Sequence, residues 1–374
     1  MNRPFSRSDH GHVLRVTMLL RMGTVFASFF VGGLCLTSFN TAEAQSVMQG
    51  LEKEVKGICD RAKDSVVQIK TIIPVRDATK GDIVGEGLSA GTGFFVDNKG
   101  LILTAASVLR GSDKAIVYWR GKTYEGVSVG QDDQTNVALL KIDTATPCLP
   151  AGDPDGLKVG SMSLLVGYPE NGQVTAEYGF VSEPDATRMP KFFTVTHIRS
   201  SVRAQRGQSG SPLLNTKGEV VGMVVYATED GASTFSLPIN AARKVQRDLV
   251  EHHAPRKGWT GLTIEVPGGD PKNSRQEIAI RDVYTGCSAH QAGIRPGDIL
   301  RKIGSREIRT PADVMNATFY LSIGEMVNFT VERGGESLNL PVRVMARPTE
   351  KEVLAMKRLS SDKSVSPVQN TSGN

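Results

Sequence analysis

The sequence predicts a mainly β protein, with many short strands closed into barrels or sandwiches and then a smaller α+β unit. Three observations predict this. From Val66 to Leu249, short apolar runs recur at close spacing between glycines, the pattern of antiparallel β structure rather than of a parallel α/β sheet. After the linker-like "APRKG", the pattern changes to strands around one capped helix. The 374 residues are 39% hydrophobic and 22% charged, ordinary values for a soluble globular chain with room for two or three domains.

The elements are taken in chain order. Arg15 and Arg21 precede the apolar run "MGTVFASFFVGGLCLTSF", and Ala42–Glu43–Ala44 is an A-x-A pattern, so residues 1–44 read as a secretory signal, with Met18 opening a more compact version. The alternative is an uncleaved anchor, because the run is about long enough to span a bilayer. Leu34 before Cys35 argues against lipidation. Cleavage leaves Cys59, Cys148 and Cys287, too few for a disulfide framework, with one pair left open. None has metal-ligand spacing, so neither metal nor cofactor is expected. The formal charge of +5 falls to about +3 without the leader, too weak a balance to argue for nucleic acid.

In residues 45–65, Val47, Leu51, Val55, Ile58 and Ala62 have helical spacing. Residues 66–253 hold the β runs, with "TGFFV" and "LILTAA" flanking "DNKG" as a hairpin signal. They close with the helical stretch "NAARKVQRDLVEHH". Residues 258–347 form the smaller unit. Thr310 before Pro311 is an expected N-cap, and "ERGGES" an expected hairpin. Residues 348–374 have little apolar content and read as a disordered tail.

The stretch "QRGQSGSPLL" (Gln205–Leu214) contains a Gly-x-Ser-Gly turn around Ser209. Such glycines let neighbouring N–H groups converge beside the serine oxygen, where they stabilise an oxyanion. The turn alone is a weak signal, since glycine–serine turns are common in loops. A serine hydroxyl also needs a base to become a nucleophile.

The surrounding runs strengthen the signal. "GTGFFVDNKGLILTAASVL", "TNVALLKID", "VGSMSLLVGYPENGQVTAEYGFVS", "GQSGSPLLNTKGEVVGM" and "FSLPIN" follow in this order. Together they resemble the protease domain of the HtrA/Deg serine proteases. "SAHQAGIRPGDILRKIGSREIRTPADV" resembles the PDZ domain that follows it. The resemblance covers about Val66 to Arg347. It implies a chymotrypsin-like double β-barrel followed by a smaller PDZ domain, often assembled as a trimer.

Carried over by position, the family's serine falls on Ser209, its oxyanion donors on Gly207 and Ser209, its histidine on Ser107 ("TAASV") and its aspartate on Asn136 ("TNVALLK"). A hydroxyl has no usable basicity near neutral pH, and an asparagine does not stabilise an imidazolium. The loop also departs from the family at Gln208 and Ser211, and a side chain at 211 is expected to tilt the oxyanion donors. Among the histidines, His197 is the only serious candidate for a substitute base, and a histidine on such a strand is more often a packed or rim residue. Asp132 and Asp133 read as a solvated turn.

In the PDZ-like unit, resemblance assigns carboxylate capture to Thr260, Gly261 and Leu262. Leu262 and Ile264 then line the groove against a helix from Ala312 to Leu321. Three functions compete. The first is a proteolytically inactive HtrA-like protein that binds peptides or unfolded proteins with free C-termini, as adaptor or chaperone, in a homotrimer or mixed oligomer with an active homologue. The second is an active endopeptidase with a noncanonical base. The third is a structural interaction protein whose groove binds one fixed partner; for the PDZ-like unit itself, the alternative is that it only packs against the barrel. The expected location is periplasmic or secreted.

Overall fold

A computed structural model describes residues 44–77, 79–187, 195–266, 277–349, 351–353 and 356. The leader run, the polar loop "PGGDPKNSRQ" (267–276) and most of the expected tail lie outside the described residues; of the tail, residues 351–353 are helical. Helix α1 covers 44–62 and is largely exposed through residue 57. Ile58 and Ala62, at the helical spacing of the apolar residues, are buried. No helix among the described residues is long and apolar enough to cross a membrane.

Twelve strands form two closed barrels. The first comprises β1 (Val66–Arg76), β2 (Ile83–Phe95), β3 (Leu101–Thr104), β4 (Lys114–Trp119), β5 (Lys122–Asp132) and β6 (Val137–Lys141). The "DNKG" turn joins β2 to β3 as expected. The four-residue helix α2 (Ala106–Leu109) follows β3. The second barrel comprises β7 (Met162–Gly167), β8 (Thr175–Ala186), β9 (His197–Ser200), β10 (Pro212–Leu214), β11 (Val220–Ala227) and β12 (Thr234–Pro238). Each closes on its own apolar interior. Phe95, Ile102, Leu140 and Trp119 fill the first, with the Phe95 and Trp119 rings edge-on at 5.1 Å. Leu165, Ile198, Leu213 and Val221 fill the second. Helix α3 (Ile239–His252) then leads out of β12.

Beyond it, β13 (Gly258–Trp259) pairs with a strand 86 residues on, and the sheet is built from β14 (Leu262–Glu265), β15 (Ala279–Val283), β16 (Ile299–Ile303), β17 (Arg306–Glu307), β18 (Met326–Arg333) and β19 (Glu336–Arg343), with β20 (Met345–Ala346) closing on β13. In strand order β14 is an edge. A short helix, α4 (Ser288–Gln291), follows β15, and α5 (Pro311–Phe319) lies between β17 and β18. Thr310 caps α5 in a full capping box with Asp313, Pro311 taking the first helical position. Ile280, Leu300, Phe329 and Val331 form the core of this sheet. Cys59, Cys148 and Cys287 are all free thiols.

Helix α5 faces two ways. Val314 and Ala317 enter the sheet's core. Asn316 turns to the second barrel, where its Oδ1 accepts from the Thr196 N–H at 3.0 Å and the Thr196 hydroxyl at 2.9 Å. The Tyr320 hydroxyl donates to Asn240 Oδ1 at 2.8 Å. Lys244 of α3 lies 5.4 Å from the Phe319 ring and donates to Asp248 and to the Arg256 carbonyl. Polar contacts thus seat the sheet domain on the barrel. Asn316→Ala strands the buried Thr196 N–H, while the Thr196 hydroxyl keeps Asp185 Oδ1 at 3.2 Å, and the loss costs about 1–3 kcal/mol. Urea unfolding of the full chain is expected to show that loss, and an unchanged midpoint contradicts the assigned contact.

Candidate active site

The loop carrying Ser209 is held from the opposite barrel by one residue, Thr92 of β2. Its N–H donates to the Ser209 carbonyl at 2.9 Å, and its hydroxyl to the Gly207 carbonyl at 2.8 Å. The same hydroxyl accepts from the Tyr168 N–H at 2.9 Å, and its carbonyl accepts from Thr104 at 2.7 Å. Glycine is required where this packing is closest. Gly210 has φ +86°, and a Cβ there would sit 2.2 Å from the Thr92 carbonyl oxygen.

Gln208 is a structural staple. Fully buried, it accepts from the Gln205 N–H at 2.7 Å and donates to Thr175 at 2.8 Å. The Arg206 carbonyl accepts from the Glu170 N–H, and the Gln208 carbonyl from the Ser211 N–H. In planar trans peptides this turns the N–H groups of Gly207 and Ser209 away from those bonds. Among the described residues no protein acceptor takes either, so both remain available as oxyanion donors. Ser211 is buried with its hydroxyl directed at Gly167, where a Cβ would approach it to 2.1 Å. The extra atoms at 211 are matched by a missing side chain at 167.

Ser209 faces Ser107, their Oγ atoms 3.4 Å apart, a long contact for two hydroxyls. Asn136 is in the left-handed region (φ 57°), which asparagine tolerates. Its Oδ1 accepts from the Ser107 N–H at 2.7 Å, and its Nδ2 donates to the Val225 carbonyl at 3.1 Å. The amide therefore ties α2 to β11, a role that sequence reasoning missed. Asp132 differs from the expected solvated turn. It is buried, and its carboxylate accepts from the Gln134 N–H and the Thr135 hydroxyl, shaping the turn that delivers Asn136.

Ser107, Asn136, Gly207 and Ser209 all line one cleft of about 1210 Å³, with Arg110, Arg203 and Tyr226 along its walls. No histidine lines it among the described residues. His197 is enclosed in the second barrel next to Thr196, and burial holds its imidazole down to about 4, against a weaker upward pull from the Val195 backbone.

The second site lies between β14 and α5. Trp259, Leu262, Ile264, Val314, Thr318 and Leu321 line a groove of about 270 Å³. The Thr260 carbonyl accepts from the Ala289 N–H and the Gly261 carbonyl from the Tyr284 N–H. Peptide planarity then turns the Leu262 N–H away from the β15 side, toward the sheet's open edge, and the Gly261 N–H away from α4. Gly261 has φ +81°, and a Cβ would meet Cys287 at 2.3 Å.

Comparisons with known proteins agree with the two domains. Residues 91–223 match the trypsin-like peptidase domain and residues 268–344 the PDZ domain. A probable periplasmic serine endoprotease DegP-like from Pseudomonas putida is 30% identical over 282 residues, covering 72% of this chain and 59% of the relative. The chain belongs to the HtrA/Deg family. A putative serine protease HhoA from Synechocystis is 28% identical, covering 68% of this chain and 70% of that one. Among solved structures, the serine endoprotease from Yersinia pestis is 25% identical with a TM-score of 0.55, covering 79% of this chain and 98% of that one. The HtrA-type protease AlgW with decapeptide shares the fold at 24% identity and a TM-score of 0.62, covering 79% and 99%. The chain spans about 59% of the length of the DegP-like relatives it matches first. The double barrel and PDZ domain expected from the sequence are thus present.

His197 supplies a test of the enclosed environment. Its folded value of about 4 lies below the ordinary 6.5, so the folded state binds fewer protons between these values. The associated stability is complete above pH ~6.5 and is lost as pH falls toward ~4. His197→Phe is expected to flatten the fall in urea midpoint across that window. An identical pH dependence in variant and parent rules out the buried, neutral imidazole.

Proposed function

We propose that this HtrA/Deg chain is a proteolytically silent, exported protein that binds peptides or unfolded chains, acting as adaptor or chaperone. The observation that carries the reading is the Ser107–Ser209 pair: two hydroxyls 3.4 Å apart where proton transfer needs an imidazole, in a cleft that no histidine lines among the described residues. Without a base, Ser209 keeps its proton. Oxyanion donors alone leave a residual effect of about 10³-fold over water, too little for useful turnover.

Binding does not need the base. The barrel cleft accommodates an extended segment, and the PDZ groove combines an open strand edge, apolar walls and two N–H groups suited to a terminal carboxylate. This supports ligands with free, apolar C-termini. The family resemblance extends the reading to a homotrimer, or to a mixed oligomer with an active homologue, in the periplasm or outside the cell.

Unfolded casein is expected to survive incubation with the full chain at neutral pH. Hydrolysis that disappears in Ser209→Ala overturns the proposal. The same geometry predicts how activity returns. Ser107→His with Asn136→Asp restores base and orienter, and each change alone does little because the pair acts as a unit. The aspartate gives up the donation to the Val225 carbonyl, so some stability is lost with it. Adding Ser211→Gly removes a buried hydroxyl that has no hydrogen-bond partner among the described residues and is expected to give the highest turnover of a quenched fluorescent peptide. A folded triple variant no faster than its Ser209→Ala counterpart contradicts the assumed loop geometry.

A further inference from the structure

The barrel cleft holds the parts of an acyl-transfer site except a proton acceptor. Two features suit it to a base that arrives with the ligand. The first is Asn136. A backbone N–H only donates and a carbonyl only accepts, so its two bonds fix which end of the amide faces which way. Oδ1 takes the Ser107 N–H at 2.7 Å, and Nδ2 gives to the Val225 carbonyl at 3.1 Å. The amide therefore presents an acceptor on the Ser107 side, and that oxygen has a second lone pair. An imidazole beside it donates one ring N–H to Oδ1, which leaves the other nitrogen unprotonated and basic. The second feature is Ser107. It is exposed on the cleft, and its hydroxyl meets Ser209 only at 3.4 Å, a contact weak enough for a ring to displace. Arg110 Nε donates to the Ser107 carbonyl at 3.3 Å, so a cation stands nearby. It disfavours an imidazolium, which keeps a visiting ring in its basic form and also slows the step in which the ring takes a proton.

We propose that a histidine of the bound peptide lies against Ser107 and Asn136 and serves as the base, so that the cleft slowly cuts ligands that bring their own imidazole. This rests on the reading that the chain itself supplies no base. The ring nitrogen takes the Ser209 proton as the serine oxygen bonds to the peptide carbonyl carbon, and the Gly207 and Ser209 N–H groups hold the oxyanion. The proton passes to the amide nitrogen as the C–N bond breaks. The same ring nitrogen then takes a proton from water, whose oxygen bonds to the acyl carbon, and the proton returns to Ser209 as its ester bond breaks. The imidazole ends unchanged. A histidine on the acyl side stays for both halves, whereas one on the amine side departs after the first. Asn136 positions the ring without the charge that would stabilise its cation, so the rate stays far below that of a complete triad and an ordinary incubation leaves casein intact.

The test uses the full chain and quenched fluorescent decapeptides in which one histidine is walked along a sequence otherwise free of it, beside a peptide with glutamine instead. Mass spectrometry locates the cut. Cutting is expected at a fixed short distance C-terminal to the histidine and is lost in Ser209→Ala. It is expected to run about 100-fold faster than with the glutamine peptide, the lower end of what a positioned base contributes. Free 4-methylimidazole is expected to restore part of the hydrolysis of the glutamine peptide. The isomer 1-methylimidazole, of equal size but with no ring N–H to give Asn136, is expected to restore far less. Asn136→Asp is expected to speed cutting of the histidine peptide, because a carboxylate accepts the same N–H and stabilises the imidazolium. Thermal unfolding establishes that each variant is folded. If no histidine peptide is cut faster than the glutamine peptide, the proposal is wrong. Equal rescue by the two methylimidazoles overturns the positioning role of Asn136. Ser209-dependent cutting of the glutamine peptide by the unaltered chain, with no imidazole present, sinks both the silent reading and this proposal.

Discussion

The geometry of the cleft depends on the grip of Thr92 on the serine loop. One fully buried residue on β2 binds the carbonyls of Gly207 and Ser209 and is itself fixed by Tyr168 and Thr104. Each barrel has its own apolar core, and at the serine loop these hydrogen bonds tie one barrel to the other. Each of them is costly to leave unmade where it is buried. Gly210 is the other half of the constraint, because the close approach to the Thr92 carbonyl leaves no room for a side chain.

The same logic explains how the serine loop keeps its place beside Gln208 and Asn136. Gln208 and Asn136 both bond through each end of their amides, so both hold backbone in place. Asn136 links α2 to β11 by accepting and donating, which a carboxylate does not do. The match of Ser211 to Gly167 is of the same kind. These contacts fix the shape of the cleft without any proton transfer, which is compatible with the binding role proposed above.

Much of this was legible in the sequence. Glycine-punctuated short runs foretold closed β structure, the Thr310–Pro311 pair foretold the start of α5, and the ordered motifs placed Ser107, Asn136 and Ser209 in one cleft. The rest depended on long-range contacts that local pattern does not encode. Nothing in "GTGFF" says that its threonine binds a loop more than a hundred residues away. Asp132 looked solvated because neighbouring acids usually are, yet it turns inward to hold Gln134 and Thr135. His197 on a β run read as more often packed or on the rim than as a base, and the fold shows it packed, though the pattern alone did not say which face it takes. Asn316 was seen only as part of a helix, and its seat on Thr196 needed the fold.

The central claim is that Ser209 lacks an activating base while keeping its loop. Its reactivity toward a fluorophosphonate measures this most directly, read by mass spectrometry at that residue against a Ser209→Ala control. The account predicts no labelling of the parent above the control at neutral pH, and labelling once Ser107→His and Asn136→Asp are both present. Rapid stoichiometric labelling of Ser209 in the unaltered chain would show that a base is at work, and would contradict the account.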